Sequence, residues 1–268
     1  MYVSKLRPNE TIIGDHNAHE RCSAPGSAFG RGYIARDRKR IPQASMPFSA
    51  KFNLPLIPRS EWDARIEEME KTKTRLSDIS DAQGIKSLNQ QQTNYCWCNA
   101  VVGCVQLIRA KAGEPYVLLS AASVAAPVKG FSNVGGWGGE ALSYIVKHGI
   151  ASTEFWPANA ISQQYQTPEE EANRKLHKVT EWLDLDEGNF DQVMTCLFNR
   201  MPVAAGLNWW GHEVMFCDPV KFGANDYGVR FRNSWDDSWG DHGFDTLHES
   251  KARPADACVP LVSTGANV

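Results

Sequence analysis

Asn89-Gln90-Gln91-Gln92-Thr93-Asn94-Tyr95-Cys96-Trp97-Cys98 is the stretch that decides how this chain is read. A polar, turn-prone run enters an apolar segment, and a cysteine stands at the junction. From Cys96 to Ala112, residues Val101, Val102, Val105, Leu107 and Ile108 recur at helical spacing, and Gly113 supplies a stop. Cys96 therefore opens a predicted helix. Unpaired N–H groups and the positive dipole end at such a position stabilise a thiolate, the form of sulfur that attacks carbonyls. Cys98 is the rival nucleophile, but two helical residues turn it about 200° away. Cys104 and Cys196 lie in apolar helical patterns and read as core.

A buried small hydrophobe would also explain one such cysteine. Two later segments supply what catalysis needs. Gly211-His212-Glu213-Val214-Met215-Phe216 sets a histidine at the start of a strand-like run, and Asn233-Ser234-Trp235, followed by Trp239-Gly240, sets an amide in an aromatic turn. A thiol, an imidazole to pair with it and an amide to orient that imidazole form a nucleophile–base–orienter set. A zinc reading fails on spacing, because C-x-C with one distant histidine is a poor ligand pattern. No metal and no organic cofactor are expected.

Over about residues 54–250 the chain resembles the papain-like cysteine peptidases. Asn89-Gln90 with Cys96-Trp97 is similar to the family's oxyanion glutamine and nucleophile block. Leu118 to Ser123, Gly135-Gly136-Trp137, Ala141 to Tyr144 with Gly149-Ile150, Pro202-Val203, Gly211-His212 and Asn233-Ser234-Trp235 follow in the family's order. The resemblance implies an α+β, papain-like two-lobed fold: a helical lobe carrying the nucleophile helix, a β-barrel-like lobe, and an active-site cleft between them. It implies Cys96 as nucleophile, His212 as base and acid, Asn233 as orienter, and the Gln90 side chain with the Cys96 N–H as oxyanion hole. Gly135, Gly136, Trp137, Gly138, Gly211 and Trp235 become the expected substrate-binding residues, with Trp235 shielding the His212–Asn233 bond. The implied activity is thiol-dependent endopeptidase hydrolysis through an acyl-enzyme, on a polypeptide substrate. Two departures stand out. Thr93 and Asn133-Val134 replace the family's half-cystines, and Leu207 to Gly211 is a short approach to the histidine, as though a primed-side loop were trimmed.

Working outward, a helix is expected from Ser60, with an approximate Ser60/Asp63 capping box and Trp62, Ile66, Met69 and Leu76 on its apolar side. Others are expected over Glu140–His148, ended by Gly149, from Thr167-Pro168, and over Phe190–Arg200. Strand-like runs occupy Val203–Ala205, His212–Cys217 and Tyr227–Arg232. Residues 1–53 show no sustained period and read as a basic arm. The domain is expected over 54–250, divided into lobes near 150, and 251–268 reads as a C-terminal tail.

The 268 residues allow one large domain or two modest ones, and 42% hydrophobic with 22% charged content is globular. The apolar run Tyr116–Val128 falls short of the roughly 20 residues a membrane span needs. Seven cysteines at irregular spacing are no disulfide framework. With no apolar signal-like core in Met1 to Pro8, the expectation is a cytoplasmic or other reducing compartment. Residues 1–60 carry ten Lys/Arg against four Asp/Glu, whereas the remainder carries net −9. The cluster Arg36-Asp37-Arg38-Lys39-Arg40 is read as docking on an acidic protein partner, or on the chain's own acidic body, in preference to nucleic acid. The competing reading is a structural component of a larger assembly, such as a virus particle, built on the same fold. An amidase or cell-wall hydrolase would use the same residues, but Gly135-Gly136 favours an extended peptide.

Overall fold

A computed structural model describes residues 2–22 and 29–261. Its architecture is set by the helix that begins at the cysteine, α4 (Cys96–Lys111), whose residues are buried around nearly the whole circumference. Such a helix must lie inside the molecule. It packs on strands β4 (Val203–Leu207) and β5 (His212–Gly223) and on helix α6 (Gly138–His148). Helices α3 (Leu76–Ala82) and α5 (Ala122–Val128) lie on the α4 side, whereas α2 (Trp62–Lys71) packs on the opposite face of the sheet; the short α1 (Ala18–Arg21) precedes them in the chain. Helices α7 (Pro168–Arg174) and α8 (Phe190–Phe198) follow, with Thr167 capping α7 through the Glu170 N–H.

Among the described residues, one sheet of eight strands has the order β1-β7-β6-β5-β4-β8-β3-β2. Its remaining members are β1 (Ile12–Ile13), β2 (Ser49–Lys51), β3 (Glu181–Asp184), β6 (Asp226–Arg232), β7 (Phe244–His248) and β8 (Asp256–Leu261). Side chains alternate between faces along each strand. Ala204, Met215, Cys217 and Cys258 join the α4 core, while Val203, Ala205, Val214, Phe216 and Val259 meet α8 and Trp62 of α2 on the other face. The fold is the α+β, two-lobed arrangement that the motifs implied.

Several expectations are corrected. The helix expected to run from Ser60 past Leu76 is two helices, because Lys73 adopts a left-handed φ of 53° between them. Asp63 caps nothing; it pairs with Lys221 and accepts a hydrogen bond from the Tyr227 hydroxyl at 2.7 Å. The division at residue 53 is no structural boundary. β1 and β2 come from the expected arm, and both lie parallel on the outer strands, closing the two edges of the sheet. Glu10 is buried against Arg230, which also pairs with Asp218. The tail expected from residue 251 supplies β8, an interior strand between β4 and β3. Short apolar runs of this kind gain their stability from the partner strand, which local periodicity does not register.

Candidate active site

Cys96 begins α4 and its side chain is fully buried. Cys98 turns away from it, its sulfur 3.2 Å from the Ala121 carbonyl. Across from Cys96, Gly211 takes a φ of +63° to complete the turn into β5, and His212 is the first residue of that strand. His212 Nε2 lies 2.8 Å from Asn233 Oδ1, which also accepts the Ser234 N–H at 2.8 Å. The rings of Trp210 and Trp235 stand 4.8 Å from the imidazole and fix its plane. Nδ1, the nitrogen opposite the Asn233 bond, makes no hydrogen bond.

Gln90 is strapped to the Asn233 loop. Its N–H donates to the Ser234 carbonyl at 2.9 Å, and its Oε1 accepts from the Ser234 hydroxyl at 2.6 Å. That leaves Nε2 as the free donor of the amide, and it donates to the carbonyls of Thr93 and Gly30, both at 2.9 Å.

Gly30 belongs to the segment expected to be a basic docking arm. That segment instead passes through the cleft in extended form. Phe29 stacks on Trp235 at 5.6 Å. The Gly32 N–H points at Cys96 Sγ from 3.2 Å, and the next residue, Tyr33, donates its N–H to the Gly211 carbonyl at 3.3 Å. Consecutive residues thus bridge the cysteine and the histidine turn. Gly136 donates to Gly32 O and accepts from Ile34 N–H, both at 2.9 Å, in a parallel bridge with Tyr33. Only glycine fits this passage. A Cβ at Gly30 would lie 2.2 Å from Thr93 O, and one at Gly32 would lie 1.9 Å from Asn94 O. Beyond it, Arg36 forms buried pairs with Asp184 and Asp256 and covers Trp137, while Arg38 reaches Asp256 and Glu187. The basic cluster therefore docks largely on the chain's own acids, although Arg40 stays exposed.

This closed arrangement reverses the expected acidity of the thiol. Burial pushes Cys96 up to about 12, outweighing the helix end and the N–H groups of Glu213, Gly32 and Trp97 that favour the thiolate. Burial also pushes His212 down to about 4; the Asn233 bond works against this shift and the nearby Arg31 charge adds to it. Both groups are neutral near pH 7, with no thiolate–imidazolium pair.

The expected substrate residues are not equivalent. Gly135, Gly136, Gly211 and Trp235 all touch the segment in the cleft: a Cβ on Gly135 would lie 2.4 Å from Gly32 O. Trp137 is buried under Arg36. Gly138 turns inward, where a Cβ would meet Glu213 and Cys258. Sequence reasoning missed Glu213 and Asp256. Glu213 follows His212 directly, an acid within an otherwise apolar run, and burial, then the Asp256 charge, pushes its carboxyl well above the usual range.

A family model described as papain family cysteine protease matches residues 76–219, a span that contains Gln90, Cys96 and His212 and stops short of Asn233. Among solved structures, the chain is similar to xylellain, a cysteine protease from Xylella fastidiosa. The identity is 16%, with 87% of this chain and 96% of that one covered and a TM-score of 0.63. It is similar to digestive procathepsin L 3 of Tenebrio molitor larval midgut at 17% identity, covering 87% and 76% of the two chains with a TM-score of 0.62. A recombinant stem bromelain precursor gives 16% identity, coverage of 93% and 88%, and a TM-score of 0.60. Comparison with curated protein sequences finds no match.

Proposed function

The chain belongs to the papain family of cysteine proteases, and we propose that it is a latent endopeptidase whose Cys96, His212, Asn233 and Gln90 hydrolyse peptide bonds. The observation that carries this reading is that an extended peptide already runs through the site. It reaches from Phe29 on Trp235, past Cys96 Sγ, to Tyr33 paired with Gly136. A cleft that passes a chain on both sides of the sulfur suits cleavage within a polypeptide rather than at its end.

In the reaction, His212 Nδ1 accepts the Cys96 proton as Sγ attacks the substrate carbonyl carbon. Asn233 holds the ring by its Nε2–H. The oxyanion forms where the Gly30 carbonyl now sits, on Gln90 Nε2, with the Cys96 N–H as second donor; preorganised donors of this kind are a large catalytic contribution. The C–N bond breaks as the imidazolium gives its proton to the leaving amine. Water, deprotonated by His212, then attacks the acyl-enzyme and releases the acid and the free thiol.

The resident segment is not a substrate. The group facing Sγ is the Gly32 N–H rather than a carbonyl carbon, and the carbonyl on Gln90 belongs to Gly30, two residues away. It occupies the site without presenting a bond to cleave, so we assign residues 29–34 an inhibitory role. No described helix is long and apolar enough to cross a membrane, and Cys96, Cys98, Cys104, Cys196, Cys217 and Cys258 are free thiols. A reducing compartment is the setting this reading assigns.

The test is hydrolysis of a fluorogenic peptide by protein whose segment has been displaced. Cys96→Ala should abolish turnover while leaving the melting temperature within a few degrees, and Cys98→Ala should retain most of it. Turnover by the Cys96→Ala protein would overturn the assignment.

A further inference from the structure

The loop that follows β6 holds a left-handed residue that is not glycine. Asp236 takes a φ of +76°, the largest positive value among the described non-glycine residues. Glycine adopts that conformation freely, whereas a side chain is strained in it. The side chain of Asp236 is nonetheless engaged through both oxygens. Oδ2 accepts from Asn89 Nδ2 at 3.1 Å, and Oδ1 accepts the Ser238 N–H at 3.0 Å. The Asp236 N–H donates to the Leu88 carbonyl at 3.1 Å; with the bond from Gln90 N–H to Ser234 O, it makes the antiparallel bridge between Asn89 and Trp235. Asp236 thus grips the two residues that precede Gln90, by backbone at Leu88 and by side chain at Asn89.

Those two residues carry the turn on which Gln90 stands. Asn89 Oδ1 accepts the Gln91 N–H at 3.0 Å, so the Asn89 side chain spans Gln90 and folds the turn around it. With Nδ2 on Asp236, the Asn89 amide is fixed at both of its ends. Asn89 leads into α4 and Asp236 follows β6, so the contact also ties the nucleophile side of the site to the histidine side. A neutral amide helps an oxyanion only if it is held in place before the charge forms. We infer that Asp236 is a positioning residue for Gln90: through Asn89 it holds the turn that aims Gln90 Nε2 at the oxyanion. This rests on the peptidase reading of the site. Glycine at position 236 would relieve the backbone and abolish the contact with Asn89, so stability and positioning call for opposite residues there.

Two measurements on the full chain test the inference and separate it from the peptidase reading. The first needs no turnover, because Gln90 Nε2 also holds the Gly30 carbonyl of the resident segment. Asp236→Gly should speed alkylation of Cys96 by iodoacetamide about threefold to tenfold, the worth of one hydrogen bond. Asp236→Asn, which keeps an acceptor for Asn89, should reverse most of that gain, and in the Gln90→Ala protein Asp236→Gly should add no further speed. The second measurement takes kcat and KM separately for peptide hydrolysis by the Gly32→Ala protein. There Asp236→Gly should lower kcat at least about fivefold, part of what loss of the donor costs, with KM changed less than about twofold. The melting temperature should equal or exceed that of the parent, and with Gln90→Ala already present the loss of kcat should vanish, because the group that is positioned is gone. Alkylation of Asp236→Gly at the parent rate overturns the inference, as does an equal loss of kcat with and without Gln90. If no peptide is hydrolysed but the alkylation order holds, the peptidase reading fails and the positioning of Gln90 by Asp236 stands.

Discussion

Gly32→Ala should convert the closed protein into an active one. The added Cβ would lie 1.9 Å from Asn94 O and 2.5 Å from Asn94 C. The Asn94 backbone cannot yield. Asn94 precedes α4 and is held by Asn133 through bonds of 2.6 and 3.0 Å. The segment must lift, and the contacts beside Gly32 go with it: Gly32 N–H to Cys96 Sγ, Gly136 N–H to Gly32 O, Tyr33 N–H to Gly211 O, and Gln90 Nε2 to Gly30 O. At about 0.5–1.5 kcal/mol each, four bonds hold the closed state by about 2–6 kcal/mol. Their loss shifts the open-to-closed ratio by about thirtyfold to about 25,000-fold. The tether stays, so the lower end is the expectation: at least about a thirtyfold rise in kcat/KM on a short peptide, matched by faster alkylation of Cys96. The assay is initial-rate hydrolysis at several substrate concentrations, with circular dichroism to show that the fold is kept. A folded Gly32→Ala protein whose hydrolysis and Cys96 alkylation equal those of the parent would refute the reasoning.

In the Gly32→Ala background, Gln90→Ala should lower kcat about tenfold to a thousandfold by removing an oxyanion donor, while Gln91→Ala, whose side chain is exposed, should change it little. Acid should favour opening of the parent protein. His212 is held neutral down to about pH 4 in the closed state, so protonation favours the open state as pH falls below the ordinary value of about 6.5, by about 3 kcal/mol at most; a rate of Cys96 exposure that is flat from pH 7 to 4 would contradict this. Glu10→Gln should cost about 3–5 kcal/mol in chemical denaturation, because it leaves Arg230 short of a partner in a buried pair. Burial raises the Glu10 pKa but the bond and charge of Arg230 outweigh it, so the folded value is lowered. The stability it gives is full above about pH 4.5 and is lost as pH falls through the folded value, and Glu10→Gln should flatten that acid limb. Removal of residues 1–50 should prevent folding or lower the melting temperature steeply, since it deletes β1, the Glu10–Arg230 pair and most of β2; a truncated protein with an unchanged melting temperature would contradict the fold described.

Legibility in the sequence followed locality. The places of Cys96, His212 and Asn233 in the fold were readable because each sits at a junction that neighbouring residues announce: a polar run into a helix, a glycine before a strand, an amide in an aromatic turn. Helices α4, α6 and α7 were readable for the same reason, through their stops and caps. What could not be read depends on pairing between distant segments. The two residues of β1 and three of β2 acquire meaning from β7 and β3, to which they are bonded. The glycines at 30 and 32 look like loop residues until the carbonyls of Thr93 and Asn94 are set against them. Glu213, Gly206 and Asp256 are set side by side from three separate strands by register alone. The thiol was misjudged for a related reason. A helix N-terminus lowers a thiol pKa when the sulfur meets solvent or a cation, and here a distant segment shuts out both.

That dependence also constrains how the cleft can open. Upstream of the resident segment the chain is fastened by β1 and by Glu10 on Arg230; downstream it is fastened by Arg36 on Asp184 and by β2 on β3. These anchors close the edges of the sheet, so detaching the whole N-terminal region would expose unpaired strand edges and buried charges together. Lifting residues 29–34 alone forfeits a few hydrogen bonds and the Tyr33 ring. Local release is therefore the low-cost route by several kcal/mol. A peptide that enters must compete with a segment held at both ends, whose effective concentration is far above that of a free ligand. A good substrate must therefore satisfy Gly136 and the Gln90 amide at once, the contacts that hold the segment in place.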